Sequence, residues 1–236
     1  MSKTLGILNA CSPEEEEEFQ SSEFQNFVEF LDTVDHPFEL IEYRITEGEF
    51  PKSAQDCDAF LITGSPKGVY DDEPWIEELG TFIRGCYAEE QKMVGVCFGH
   101  QMLAHTLGGQ AEKSDKGWGL GMKKLQVLET QPFMDPPLAN GDFYYCHQDQ
   151  VTTLPAEAQL LAGSEFCPNG MFVIGEKVFA LQAHPEFTPG VMDKTITWLR
   201  DYLPTPILDN AEASLTPNRR ADNEVIAQWI LNFLED

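Results

Sequence analysis

Positive charge is scarce in this sequence. Fifteen Lys and Arg stand against 40 Asp and Glu in 236 residues, a formal net charge of −25. A field of that sign repels phosphate backbones and anionic headgroups, so neither nucleic acid nor a membrane surface is expected as a partner. The acids are dispersed, with Glu14 to Glu18 as the one run, which favours solubility over an acidic interaction tail. No segment approaches the roughly 20 apolar residues of a membrane helix, and the apolar stretch near the start is too short for a signal-peptide core. The six cysteines, Cys11, Cys57, Cys86, Cys97, Cys146 and Cys167, include no C-x-x-C pair. Without an export signal, that spacing reads as reduced thiols in a cytoplasmic protein. The five histidines, His36, His100, His105, His147 and His184, show no metal-ligand spacing. No G-x-x-x-x-G-K-[ST] or pyrophosphatase-type glycine loop is present, so no ATP site is expected. There is no internal repeat, and no linker is long enough to separate the chain into independent units. A single domain is expected, with its core over about 4–202 and a connector and helix over 203–236.

What the sequence does contain is the composition of a packed globular chain, with 42% hydrophobic residues and sixteen Phe. Short apolar runs alternate with segments of helical period, the pattern of βαβ units and a mainly parallel sheet. Strands are expected at Thr4–Leu8, Phe38–Tyr43, Ala59–Thr63, Met93–Cys97 and Val178–Ala183. Ser12-Pro13-Glu14 reads as an N-cap, a first-turn proline and first-turn acids, leading one helix to about Leu31. Further helices are expected from Trp75 to about Ala88, from Phe98 to Leu107, from Thr188-Pro189 to about Tyr202 and from about Asn223 to Leu234. Between Gly121 and Ile174 the signal changes to short strands and turns, which suggests antiparallel additions at Met122–Leu128, Phe143–Cys146, Gln159–Ala162 and Met171–Ile174. Leu203 to Asn218 reads as a proline-rich connector.

The strongest chemical signal is Gly95-Val96-Cys97-Phe98-Gly99 at a strand-to-helix junction. Glycines on both sides permit a sharp turn that lifts the Cys97 sulfur above the carboxyl edge of the sheet. The positive end of the following helix suits an anionic sulfur, and the Phe98 N–H faces the same space as an oxyanion donor. The bland reading of an intracellular cysteine is a buried, inert thiol. That reading suits the other five, and the flanking glycines set Cys97 apart. A thiol nucleophile needs a base, and His184 ends a strand where a doubly wound sheet places its functional loops. Glu186, two residues on, can reach the far imidazole nitrogen and fix its tautomer. Alone, His-Pro-Glu is weak evidence; with Cys97 it completes a set of three residue types on the right kinds of element.

These motifs resemble the class I (triad) glutamine amidotransferase family. Gly95 to Gln101 (G-V-C-F-G-H-Q) and Ala183 to Phe187 (A-H-P-E-F) are similar to its nucleophile and His-x-Glu motifs. Thr63-Gly64-Ser65-Pro66 stands where its oxyanion loop does. The resemblance implies a flavodoxin-like three-layer α/β sandwich with a mainly parallel central sheet plus antiparallel additions. It implies that Cys97 attacks the γ-carboxamide of glutamine, that His184 and Glu186 serve it, and that Gly64 and Phe98 N–H groups hold the oxyanion. It also implies substrate contacts from Ser65, Gln101, Cys146, His147 and Gln148, without metal or cofactor. His147 reads first as a loop-positioning residue, and His100 and His105 as structural.

His147-Gln148-Asp149 departs from the His-Gly-Asp of the GMP synthase glutaminase half and is more similar to the free-standing branch that includes γ-glutamyl peptidases. Lys116 to Gly121 also resembles that branch, although Gly119 falls where an acid is common. Three readings remain: a glutaminase delivering ammonia to a separate synthetase, a self-sufficient hydrolase of small γ-glutamyl compounds, and a non-catalytic module, which the complete triad disfavours.

Overall fold

The computed structural model describes residues 3–235. Its centre is a nine-stranded sheet. Five strands run parallel: β1 (Lys3–Asn9), β2 (Phe38–Arg44), β3 (Ala59–Ile62), β4 (Lys92–Val96) and β11 (Val178–Leu181), in the order β2-β1-β3-β4-β11. Beyond β11 the sheet continues antiparallel through β10 (Met171–Ile174), β9 (Gln159–Gly163), β6 (Gly119–Val127) and β7 (Asn140–His147). A separate two-stranded ribbon pairs β5 (Gln110–Lys113) with β8 (Asp149–Thr153). This is the expected mixed sheet, parallel at the core and antiparallel beyond it.

Alternation along the central strands feeds two cores, as the period of two requires. On one face Leu61, Val94, Val96, Phe179 and Leu181 pack with α2 (Glu23–Leu31) and α7 (Asn223–Glu235). On the other, Phe60, Ile62, Met93, Val178 and Ala180 pack with α3 (Pro74–Ala88) and α4 (Phe98–Thr106). A third cluster joins α5 (Pro189–Leu199) and α6 (Thr205–Ser214) to Leu120, Met122 and Tyr144 of the antiparallel strands.

Four expectations are corrected. The single helix from Ser12 to Leu31 is two, α1 (Pro13–Phe19) and α2, because Gln20 turns left-handed at φ 51° and Ser22 caps a new helix. The Ser12 cap and its Glu15 partner form the full capping box, so the glutamate run begins as a capped helix. The connector from Leu203 contains α6, with Pro206 tolerated in its first turn. Cys146 and His147 lie on strand β7, with Gln148 alone between β7 and β8, so the expected substrate loop is a tight strand-to-strand corner. Finally, Gly95 and Gly99 serve close approach. A Cβ on Gly95 would stand 2.5 Å from Gly99 backbone atoms, and one on Gly99 would stand 2.3 Å from the Ile62 carbonyl oxygen. The unusual backbone angle falls on Cys97 itself, at φ 53° and ψ −102°.

Candidate active site

Strands β3, β4 and β11 are neighbours in the sheet, and their carboxyl ends deliver Gly64, Cys97 and His184 to one place. A Cβ placed on Gly64 would lie 3.1 Å from His184 Cε1, 3.8 Å from Cys97 Cβ and 3.4 Å from Glu23 Oε1. The elbow is pinned from both sides: Cys97 N–H donates to the Leu181 carbonyl at 2.9 Å, and Gly99 N–H donates to the Thr63 carbonyl at 3.1 Å. That anchoring holds Cys97 in a left-handed conformation that costs a non-glycine residue about 1–3 kcal/mol, the kind of strain concentrated at reactive turns.

His184 is buried and braced on three sides. Its Nδ1 lies 2.6 Å from Glu186 Oε1, its backbone N–H donates to the Tyr144 carbonyl at 2.9 Å, and its ring stacks on Phe187 with centroids 4.2 Å apart. Burial lowers the affinity of the imidazole for a proton, but Cys97 and then Glu186, by charge and hydrogen bonding, outweigh it and hold His184 well above its ordinary value. The site thus keeps a proton on His184, with a carboxylate behind it and a sulfur ahead of it. Such a set can attack a carbonyl carbon and protonate a departing nitrogen.

The N–H groups of Gly64 and Phe98 find no acceptor among the described residues, so two backbone donors stand free beside Cys97. The Phe98 ring turns away and packs on Trp75 at 5.5 Å. Ser65, Gln101, Cys146, His147 and Gln148 line, together with Cys97 and His184, one cavity of about 490 Å³. Gln101 spends both Nε2 hydrogens internally, on the Asp149 carbonyl at 2.9 Å and on Gln182 Oε1 at 3.0 Å. His147 Nδ1 donates to the Asp149 carbonyl at 2.8 Å, fixing the corner between β7 and β8. Burial first of all pushes His147 down to about 3, so its imidazole is neutral. Burial pushes the Cys146 thiol up to about 12 although it lies in the same cavity. No group of three or more His, Cys, Asp or Glu among the described residues is arranged to hold a metal, and no helix among them is long and apolar enough to cross a membrane.

Three features at or behind the cavity carry no signal that the motifs above would register. Gln182 points Nε2 at the Cys97 sulfur, 3.5 Å away; it stands two residues before His184, so the period of an extended strand could have flagged it. Glu23 brings a buried carboxyl into the cavity from α2, and nothing in the local sequence signals that. Phe19, Trp198 and Tyr202 form an aromatic wall, with Trp198 centred 4.6 Å from Phe19 and 4.9 Å from Tyr202.

A family model described as glutamine amidotransferase class-I matches residues 18–200. The chain is 31% identical over 194 residues to γ-glutamyl peptidase 3 of Arabidopsis thaliana, covering 79% of this chain and 77% of that protein. It is 30% identical over 168 residues to a glutamine-hydrolysing GMP synthase of Porphyromonas gingivalis, covering 66% of this chain but 32% of that longer protein. Among solved structures, a glutamine amidotransferase from Thermotoga maritima superposes with a TM-score of 0.74 at 20% identity, covering 100% of this chain and 97% of that one, a likeness of fold.

Proposed function

The chain belongs to the class-I glutamine amidotransferase family, and from that premise we propose that it hydrolyses γ-glutamyl amides through a thioester on Cys97. The observation that carries this reading is the convergence of Cys97, His184 and Gly64 on one point of the cavity. The Cys97 sulfur attacks the γ-carbonyl carbon while the free N–H groups of Gly64 and Phe98 receive the oxyanion, an interaction whose loss elsewhere costs about 3–4 kcal/mol per donor. His184 gives its proton to the leaving nitrogen as the C–N bond breaks. It then takes a proton from the water that opens the thioester, releasing glutamate. Glu186 keeps the imidazole oriented with Nε2 toward the sulfur. Ser65, Gln101, Cys146, His147 and Gln148 shape the cavity around the glutamyl part of the substrate.

With glutamine as substrate the amine released is ammonia, and a separate synthetase subunit would be its consumer. One observation favours a second reading, in which the chain acts alone on γ-glutamyl peptides or conjugates. A cavity of about 490 Å³ with an aromatic wall of Phe19, Trp198 and Tyr202 offers space and apolar surface that the small amide group of glutamine leaves unused. The Arabidopsis thaliana relative described above, which matches over most of both chains, is named a γ-glutamyl peptidase. Incubating the purified protein with glutamine and with γ-glutamyl dipeptides, and measuring ammonia and free glutamate, decides between them. Faster glutamate release from the dipeptides without any added protein is expected. No glutamate from either substrate would overturn the hydrolase reading.

A further inference from the structure

Among the carboxyls that line the cavity and have no part in the mechanism above, Glu23 is the most buried. Glu23 is the first residue of α2, and its direction is set by two bonds. Glu16 Oε1 accepts its N–H at 2.7 Å, and the Ser22 hydroxyl, capping the helix, accepts from Gln25 N–H at 3.3 Å. The side chain therefore enters the cavity with 9% of the residue exposed. Its Oε1 stands 3.4 Å from the point where a Gly64 Cβ would sit, the same point that lies 3.1 Å from His184 Cε1 and 3.8 Å from Cys97 Cβ.

A carboxyl so buried ordinarily has a cation beside it. Glu23 has none of the chain's Lys or Arg among the groups that act most strongly on it. Glu186 and Glu16 oppose its charge, and only His184 and a hydrogen bond with Asn26 support it. Burial first, and the Glu186 carboxylate second, push it up to about 8, which favours its protonated form at neutral pH. A strongly perturbed group in a cleft is a functional candidate, and a donor nitrogen is a group that its oxygens fit.

We propose that Glu23 receives the leaving nitrogen, its carboxyl oxygen accepting an N–H of the scissile amide and then holding the departing amine. The inference rests on the γ-glutamyl amide reading and adds to it the group that faces the amine. The position argues for the leaving side, because Glu23 stands by His184, which protonates that nitrogen. On C–N cleavage the bonding pair stays with nitrogen, which takes the His184 proton to become a neutral amine. The Glu23 proton then passes to that amine, giving an ammonium and carboxylate pair. When the ammonium diffuses out, Glu23 recovers a proton from water.

The test compares substrates that differ only in the leaving atom. Wild type, Glu23→Met and Glu23→Gln are assayed on a γ-glutamyl dipeptide and on glutamate γ-methyl ester, whose leaving oxygen bears no hydrogen. Alkylation of Cys97 by a glutamine-like chloromethyl ketone, which has no leaving nitrogen, is timed alongside. For Glu23→Met, kcat/KM on the dipeptide should fall roughly 10- to 100-fold, while ester turnover and alkylation stay within about threefold of wild type. Glu23→Gln keeps an acceptor oxygen but no proton to give, and should fall between the two. An unchanged dipeptide rate overturns the proposal, as does an equal loss on dipeptide, ester and alkylation, which would make Glu23 a support for His184 alone. A wild type that cleaves neither amide would instead sink the hydrolase reading, and this assignment with it.

Discussion

Gln182 lies with its Nε2 3.5 Å from the Cys97 sulfur while its Oε1 accepts from Gln101 Nε2 at 3.0 Å. The two amides are buried and share one chain of hydrogen bonds running from the Asp149 carbonyl to the sulfur. Gln182→Leu removes a donor to sulfur and strands a Gln101 hydrogen, which costs about 1–3 kcal/mol for a buried unsatisfied donor. The expected result is a stability loss of that size in urea unfolding and a roughly tenfold lower kcat/KM. The double variant Gln101→Leu with Gln182→Leu should be less destabilised than the two single losses combined, because both partners are then apolar. Strict additivity would mean that the amides act independently.

The proton on His184 is held by Cys97 first and Glu186 second. Removing the charge of the second, by Glu186→Gln, lowers the affinity of His184 for that proton. Activity needs the protonated imidazole to meet the leaving nitrogen, so the alkaline limb of the kcat profile should move to lower pH, and kcat should drop about 10²- to 10⁴-fold. Measuring kcat on a γ-glutamyl dipeptide across the acid and alkaline limbs checks both. An alkaline limb that stays in place would show that Glu186 does not act on the proton of His184.

Burial pushes the thiols of Cys86, Cys146 and Cys167 up to about 12 and raises Cys11 and Cys57 as well. These five should be slow nucleophiles, because the thiolate is the reactive form. A glutamine-like alkylator at neutral pH should therefore label Cys97 alone by peptide mass mapping. Cys97→Ala should abolish turnover, and Cys146→Ala should keep a substantial share of it. Equal loss in both variants would remove the basis for choosing Cys97.

The features legible in the sequence were those written in short stretches of chain. The elbow around Cys97 and the His184–Glu186 pair are local patterns, and the alternating apolar runs mark the central strands. What stayed hidden depends on packing between distant segments. The left-handed Gln20 that separates α1 from α2 is no glycine, so nothing in the sequence interrupts the helical period there. Strands β5 and β8 are short and polar on one side, and they pair across a long stretch of chain with no tight turn joining them. Glu23 acquires its meaning only once α2 is laid against the end of β3.

Two glycines that look alike in sequence should respond differently to an added methyl. In Gly64→Ala the Cβ meets His184 Cε1 at 3.1 Å and Glu23 Oε1 at 3.4 Å, both side-chain atoms able to yield by tenths of an ångström. In Gly99→Ala the Cβ meets the Ile62 carbonyl oxygen at 2.3 Å, and β3 backbone must move. Gly64→Ala should thus fold with stability near wild type but lose about tenfold or more in kcat through the displaced imidazole. Gly99→Ala should lose about 1–3 kcal/mol or more of stability. A Gly64→Ala enzyme of full activity would mean that the imidazole has more room than the 3.1 Å contact allows.

The raised Glu23 carboxyl also makes a stability prediction that does not depend on any substrate. Its ordinary value is 4.5, and in the folded protein it is pushed up to about 8, chiefly by burial. Below the lower value both folded and unfolded chains hold the proton, and the favourable contribution is fully present. Between the two, the unfolded chain has released its proton while the folded chain keeps it, so this contribution is lost as pH rises and is gone above about 8. Glu23→Gln has no proton to lose. Its melting temperature should therefore gain on wild type steadily as pH rises from 4.5 to about 8, by roughly 2–4 °C for each kcal/mol of linkage. Because the other titrating groups are common to both proteins, most of their contribution cancels in the difference. A difference that is flat across that range, or that shrinks, would mean the folded cavity accepts the charge of Glu23 without penalty, with the protonated His184 compensating it in full.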